Sequence, residues 1–438
     1  MSRAVRARGR LEPGAISIVV ADERGNVQVD PRYRLAVFDG VRTRPPRPDE
    51  LVRLPRGSDL FLLPGRAAVG LDAGGRPVAI RGRAGRPRLA AAAFLAPAWV
   101  RLVHPAYTTN HAAPTLPLFA YAPLGVAPDG EYVTCGVRID PEGRQDPWRF
   151  DPETIQRRVK IALAERPKNR LVRHLSHCAL TYSCRAAQNF FLGRWEAPLP
   201  TARACNSRCL GCISEQESTG VCASHDRIAF VPTPEEIAEV SLVHADHVKN
   251  AVVSFGQGCE GEPLVNAALL TQAVSLIRRT NREVTVNLNS NSSRPDAVAG
   301  LFEAGLSSLR VSLNSVRRPA YDAYFRPRGY TFDDVLRSIE VAKAAGGFVS
   351  LNYFTFPGFT DRPAEVDALE ALIERTHLDM IQWRNLNIDP ELYLKAMPPD
   401  EGEPIGLVAE LKRLKKRFPA LRYGYFNPPV PARGAPAD

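Results

Sequence analysis

Three cysteines share one short stretch, Cys205-x-x-x-Cys209-x-x-Cys212. Thiolates are soft ligands suited to iron–sulfur clusters and zinc. Three on one loop can hold three irons of a [4Fe–4S] cluster and leave the fourth iron open to a substrate or cofactor. The same thiols would equally serve a zinc site completed from a distance by Cys222 or His225. That second reading makes the protein a non-enzymatic zinc- or iron–sulfur-binding module.

Other stretches carry chemistry too. Gly256-Gln-Gly-Cys-Glu-Gly-Glu-Pro-Leu264 follows an apolar run. Its glycines let a backbone approach a ligand closely, and Glu262 offers a carboxylate to a cation. Cys259, in the same loop, is a candidate for the substrate side. Asn287, Asn289 and Asn291, and again Arg310, Ser312 and Asn314, alternate with apolar neighbours, so each set shares one face of a strand. On an inward face such groups are costly unless satisfied. Arg384, Asn385, Asn387 and Asp389 concentrate polar groups after a further apolar run and are candidates for substrate contact. His174 and Cys178 stand four apart on a predicted helix, hence on one face, where they could ligate a metal or help an auxiliary cluster. Buried thiols and an ordinary histidine are the plainer reading.

The elements that must position these residues fall into three parts. Residues 1–150 read as a β-rich accessory domain, with short strands such as 15–20, 59–63 and 77–80 between Gly and Pro turns. Residues 151–195 read as a helical connector, opened by Asp151-Pro152-Glu153 and continued by one helix over 170–192. From 196 to 430 apolar strands at 251–255, 284–288, 308–313, 348–354 and 379–383 alternate with amphipathic helices. Thr233-Pro-Glu-Glu236 predicts a capping box. A short strand before Cys205 makes six βα units, too few for a closed eight-stranded barrel. The fold class is α/β, a partial (β/α)6 barrel or a doubly wound sheet, and either places ligands at the carboxyl ends of the strands.

The cysteine spacing, at the start of such a unit and followed by Glu260-Gly-Glu-Pro263, resembles the radical S-adenosylmethionine (SAM) superfamily over roughly residues 196–426. The resemblance implies a partial (β/α)6 barrel and two cofactors, a [4Fe–4S] cluster on Cys205, Cys209 and Cys212, and SAM. It implies reductive cleavage of SAM to a 5′-deoxyadenosyl radical that abstracts hydrogen from an unidentified substrate, with an electron donor such as flavodoxin or ferredoxin. Residues 260–263 resemble the family's Gly-Gly-Glu-Pro motif, which gives Gly261 and Glu262 the SAM amino group. Arg310–Asn314 resembles the fourth family strand, which gives Ser312 and Asn314 the ribose or carboxylate. Phe354–Asp361 resembles the turn beneath the adenine, with Gly358 under the base. Gly211 departs from the family, which has an aromatic residue before the last cysteine, and Glu260 stands where Gly is usual.

Composition limits the remaining classes. The chain has 438 residues, 45% hydrophobic and 24% charged, which is ordinary globular usage. No apolar run is long enough to cross a membrane, and the basic start lacks the apolar stretch of a secretory signal, so a cytoplasmic chain without membrane attachment is expected. The net charge is +10, and residues 1–100 hold 18 Arg, no Lys and nine Asp or Glu. That field could meet RNA or another acidic partner. It could equally be a solvated face in a chain that prefers arginine throughout. An RNA substrate and a peptide or metabolite substrate are both carried forward. No cysteine follows Cys259 in the sequence, so a C-terminal cysteine-rich extension with further clusters is not expected, and no Walker, His-Glu-x-x-His or Gly-x-Ser-x-Gly motif occurs.

Overall fold

A computed structural model describes residues 11–82, 85–215, 220–399 and 402–430. Seven strands form a parallel sheet in sequence order: β1 (Glu196–Pro198), β2 (Val252–Phe255), β3 (Thr285–Ser290), β4 (Ser308–Leu313), β5 (Phe348–Thr355), β6 (Met380–Asn385) and β7 (Arg422–Gly424). Each pairs only with its neighbours in that order, so the barrel is open, as a partial barrel requires. The seventh strand is a correction to the expected six. Its three residues, Arg-Tyr-Gly, carry no apolar run that would mark a strand. Parallel neighbours need crossover helices. These are α4 (Pro234–His247), α5 (Ala267–Thr280), α6 (Pro295–Glu303), α7 (Arg318–Phe325), α8 (Phe332–Ala344), α9 (Pro363–Thr376), α10 (Pro390–Ala396) and α11 (Leu407–Arg417). The predicted capping box at Thr233 and Glu236 is present.

The outer faces of the strands form the main core. Val253, Val286, Leu288, Leu309, Val311, Leu351 and Ile381 are all fully buried there. Three connector helices join the same core: αA to αC in chain order precede the barrel at Pro152–Glu165, Arg170–Leu180 and Arg185–Leu192. Leu171, Leu175 and Cys178 pack with Ile237 and Val253 in it. The Asp151 cap forms as expected, its carboxylate accepting from Thr154 N at 2.8 Å. The single helix expected over 170–192 is two, because the chain breaks at Ser183, whose φ is +51°.

The N-terminal part is an antiparallel β structure with its own core of Ile16, Val20, Leu35, Leu63, Ala92 and Val133. Much of its positive charge is matched by acid. Arg32, Arg42, Arg44, Arg53, Arg66, Arg76 and Arg86 all form ion pairs. The first ten residues, which carry four of the arginines counted above, lie outside the described residues.

This part docks on the rim of the barrel, at the carboxyl ends of β5 and β6. Arg101 donates to Leu386 O at 2.9 Å, and His104 Nε2 lies 2.9 Å from Pro357 O. Two expectations are corrected here. Gly358 (φ +82°) lies against the Asp39–Gly40 turn, where a Cβ would come within 2.3 Å of Gly40 Cα, so its lack of a side chain serves domain packing. Asp389 does not face a cavity. It caps α10 and forms a buried ion pair with Arg66 at 2.7 Å, so its carboxylate is taken up by the contact with the N-terminal part. Among the described residues no helix is long and apolar enough to cross a membrane.

Candidate active site

The polar faces of the strands turn into the barrel. Ser308 Oγ donates to Asn287 at 2.8 Å, and Asn287 donates onward to Asn289 at 2.8 Å. Asn352 donates to Ser312 Oγ at 3.1 Å, and Arg310 to Gln382 at 2.8 Å. These inward groups thus hydrogen-bond to one another, which lowers the cost of burying them, and Arg310 Nε is left out of the network. Above it, at the carboxyl ends of the strands, opens a cavity of about 370 Å³ whose lining runs from Cys205 to Asn387. That volume lies in the range of small-molecule sites.

The three loop cysteines, Cys205, Cys209 and Cys212, all line this cavity. Their loop is pinned by its other residues. Arg208 N and Leu210 N donate to Phe325 O and Tyr324 O at the end of α7. Asn291 donates to Asn206 and to Ser207 Oγ, tying the loop to the end of β3. Burial and the nearby Glu262 push the Cys205 thiol up to about 11, and burial with the neighbouring thiols drives Cys209 well above the ordinary range. Such a set is unfavourable as bare thiolates, and a positively charged metal group would relieve it. Gly211 leaves room for a ring from elsewhere: the Tyr324 hydroxyl would lie 3.2 Å from a Cβ placed there.

The loop after β2 is shaped by two glutamates with different tasks. Glu260 is a bracket. Its carboxylate accepts from Gly256 N (2.6 Å), Gln257 N (3.0 Å), Thr201 N (2.7 Å) and Ala202 N (3.0 Å). Burial raises its carboxyl to about 7, against the pull of those four N–H groups. Glu260 therefore replaces backbone-only contacts with a carboxylate that joins two loops. Gly261 lets those loops meet, since a Cβ there would lie 2.0 Å from Ala204 O. Glu262 faces the cavity, 4% exposed. It accepts from Leu264 N (3.0 Å), Ser290 Oγ (2.6 Å) and Asn291 N (2.8 Å). Its orientation is thereby set without a basic side chain among these partners.

The structure brings Gly261, Glu262, Ser312, Arg384, Asn385 and Asn387 to the cavity with the cysteines. It does not bring four others: Asn314, Gly358, Asp389 and Cys259. Asn314 lies one residue beyond β4, where the alternation ends, and donates to Ala320 O and Tyr393 Oη instead. Gly358 and Asp389 sit in the domain contact. Cys259 turns away from the cavity, 4% exposed, and meets the connector helix αB, which follows αA and carries His174 and Cys178. Among the described residues, the trio whose donor atoms all come within 4.8 Å is His174, Cys178 and Cys259.

Sequence reasoning passed over Asn352, Phe354, Tyr324 and Arg227, which also line the cavity. The inward alternation of β5 could have found the first two. Arg227 had no local signal; it donates to Ser214 Oγ at 3.0 Å, and its Nη2 lies 3.7 Å from Cys212 Sγ. Arg310 is the most unusual group in the lining. Its Nε is buried without a hydrogen-bond partner, and burial with the like charge of Arg384 lowers its guanidinium to about 10. Arg384 stacks on Tyr425, its guanidinium carbon 3.8 Å from the ring centre.

Comparison with known proteins matches this part of the chain. Residues 199–370 match the family model of the Radical SAM superfamily. Two curated relatives are GTP 3′,8-cyclases. The one from Ectopseudomonas mendocina is 28% identical over 39% of this chain and 48% of its own length. The one from Thermodesulfovibrio yellowstonii is 28% identical over 38% of this chain and 48% of its own length. The chain therefore spans about half the length of the curated relatives it matches. A radical SAM methyltransferase from Sphaerobacter thermophilus aligns over 75% of this chain and 77% of its own, at 14% identity and a TM-score of 0.37.

Proposed function

We propose that this chain, whose residues 199–370 match the family model of the Radical SAM superfamily, cleaves SAM reductively to act on a small anionic substrate. Cys205, Cys209 and Cys212 would hold a [4Fe–4S] cluster. The donor set fits: three thiols on one pinned loop, lining the cavity that Glu262 also lines. When bound, the cluster supplies the electron that breaks a carbon–sulfur bond of SAM and leaves a 5′-deoxyadenosyl radical.

The chain's own residues bind, orient and exclude water. Glu262 takes the ammonium group of SAM: burial raises its carboxyl against the pull of three donors, a cation beside it favours the ionised form, and those donors already fix its orientation. Gly261 sets the spacing between the cysteine loop and Glu262 by letting their backbones touch. Ser312, held by Asn352, offers a hydroxyl to the sugar. Asn385 is shared between the cavity and the N-terminal part, accepting from Arg101 N and donating to Trp99 O at 2.9 Å each. The N-terminal part thus braces the rim of the cavity and keeps the β6 loop in place.

The observation that carries the substrate class is Arg310 beside Arg384, two guanidinium groups facing one cavity, with a buried N–H of Arg310 unpartnered. A buried donor without an acceptor costs about 1–3 kcal/mol, and a bound anion removes that cost. The curated relatives are named for GTP, itself an anion, which agrees with this reading. A small anion is favoured over a long RNA because so many N-terminal arginines are already paired with acids. The experiment measures 5′-deoxyadenosine formation while nucleotides, including GTP, and carboxylic acids are added one at a time. At least one anion should raise the rate. Arg310→Met should then raise the KM for that compound by about 10- to 100-fold, the value of a charged hydrogen bond. Stimulation by neutral compounds alone contradicts the reading. So does an Arg310→Met protein whose only defect is weak SAM binding, which would assign this arginine to SAM.

A further inference from the structure

We propose that His174, Cys178 and Cys259 form a second metal site, separate from the loop cysteines, that holds a single zinc ion. The donors converge from two elements. His174 and Cys178 lie four apart on one face of Arg170–Leu180, and Cys259 comes from the loop after β2. One ligand atom from each residue lies within 4.8 Å of the others. The His174 Nε2 to Cys178 Sγ distance is 3.5 Å. Donors around one tetrahedral zinc, with Zn–S near 2.3 Å and Zn–N near 2.0 Å, sit roughly 3.5–3.8 Å from each other. The trio is therefore close to ligand spacing, and small side-chain shifts complete it.

The chemistry of the set selects the metal. Two thiols and an imidazole are soft and borderline donors, suited to zinc and unsuited to magnesium or calcium. Cys178 is fully buried and Cys259 is 4% exposed, which shields such an ion. The His174 ring is held edge-on by Phe230 at 6.3 Å. His225 stands on the adjoining loop, its Nδ1 3.1 Å from Ser224 Oγ and its ring 5.1 Å from that of Tyr182. His225 is not part of the 4.8 Å set, so the fourth corner falls to a water.

The placement gives the ion a structural task. Cys259 lies three residues before Glu262 and next to Glu260, so zinc would fasten the cofactor loop to the connector helix. The site does not depend on SAM cleavage, and the test separates the two. The loop cysteines are first removed together, as Cys205→Ala/Cys209→Ala/Cys212→Ala, so that any metal left is not theirs. Elemental analysis of that protein should find about one zinc per chain, the count for a single mononuclear site. Adding Cys259→Ser or, in a second protein, His174→Gln should remove it, while circular dichroism shows that the fold persists. Cobalt substituted for the zinc should show the visible absorption of tetrahedral thiolate ligation, and that absorption should fall in the Cys259→Ser protein. No zinc in the loop-free protein even after zinc is supplied overturns the proposal. Zinc that survives both substitutions, or a Cys178–Cys259 disulfide in the isolated protein, overturns it as well.

Discussion

Glu262→Gln is expected to weaken SAM binding by about 30- to 1000-fold, the equivalent of about 2–4 kcal/mol for removing one partner of a buried charge-assisted contact. The substitution keeps the shape. It removes the negative charge that faces the cavity, and one amide N–H must then confront Leu264 N or Asn291 N, both of which donate to the native carboxylate. That conflict costs about 1–2 kcal/mol of local stability, small beside the loss of the ammonium contact. Iron bound by the cysteine loop should be unchanged, since Glu262 offers no ligand to it. Equilibrium binding of SAM to the iron-loaded protein checks both halves. Unchanged SAM affinity would show that the ammonium group sits elsewhere.

Asp389→Asn is expected to destabilise the folded chain by about 3–5 kcal/mol, because it leaves Arg66 charged and buried without its partner. Both side chains are 3% exposed. Asp389 also accepts from Leu116 N at 2.8 Å and caps α10 through Glu391 N at 2.9 Å. One carboxylate therefore joins the N-terminal part to the loop after β6. The double variant Asp389→Asn/Arg66→Met should recover much of the loss, since removing both charges is far cheaper than removing one. Urea unfolding of the single and double variants measures this. A cost below about 1 kcal/mol for Asp389→Asn would mean that the pair is not isolated from water.

The barrel was readable because its physics is local. Strands such as Ser308–Leu313 alternate polar and apolar residues, and helices such as Pro234–His247 announce themselves by their caps. The cysteine loop and Glu262 meet at one cavity because both follow the carboxyl ends of strands, which the strand pattern already located. What escaped depends on distant contacts. Asp389 looks like any polar loop residue until Arg66, more than three hundred positions away, is seen beside it. Gly358 serves a turn at Asp39–Gly40 that no local pattern connects to it. Cys259 sits in the loop after β2 beside Glu260, yet its side chain leaves the cavity for αB. Asn314 failed for a smaller reason: β4 stops at Leu313, and alternation holds only within a strand. Glu260, a departure from the resembled motif, acquires its meaning only from the four backbone N–H groups that surround it.

In the proposed function the three loop cysteines hold a redox cluster that cleaves SAM. The most direct measurement of this is made without oxygen. The protein is reconstituted with iron and sulfide, its iron is counted, and 5′-deoxyadenosine is assayed after SAM and a strong reductant are added. About four irons per chain are expected, as one [4Fe–4S] cluster requires, with 5′-deoxyadenosine that disappears when Cys205, Cys209 and Cys212 are all replaced by Ala. Zinc in place of iron on that loop, or a full iron count with no SAM cleavage under any reductant, would contradict it.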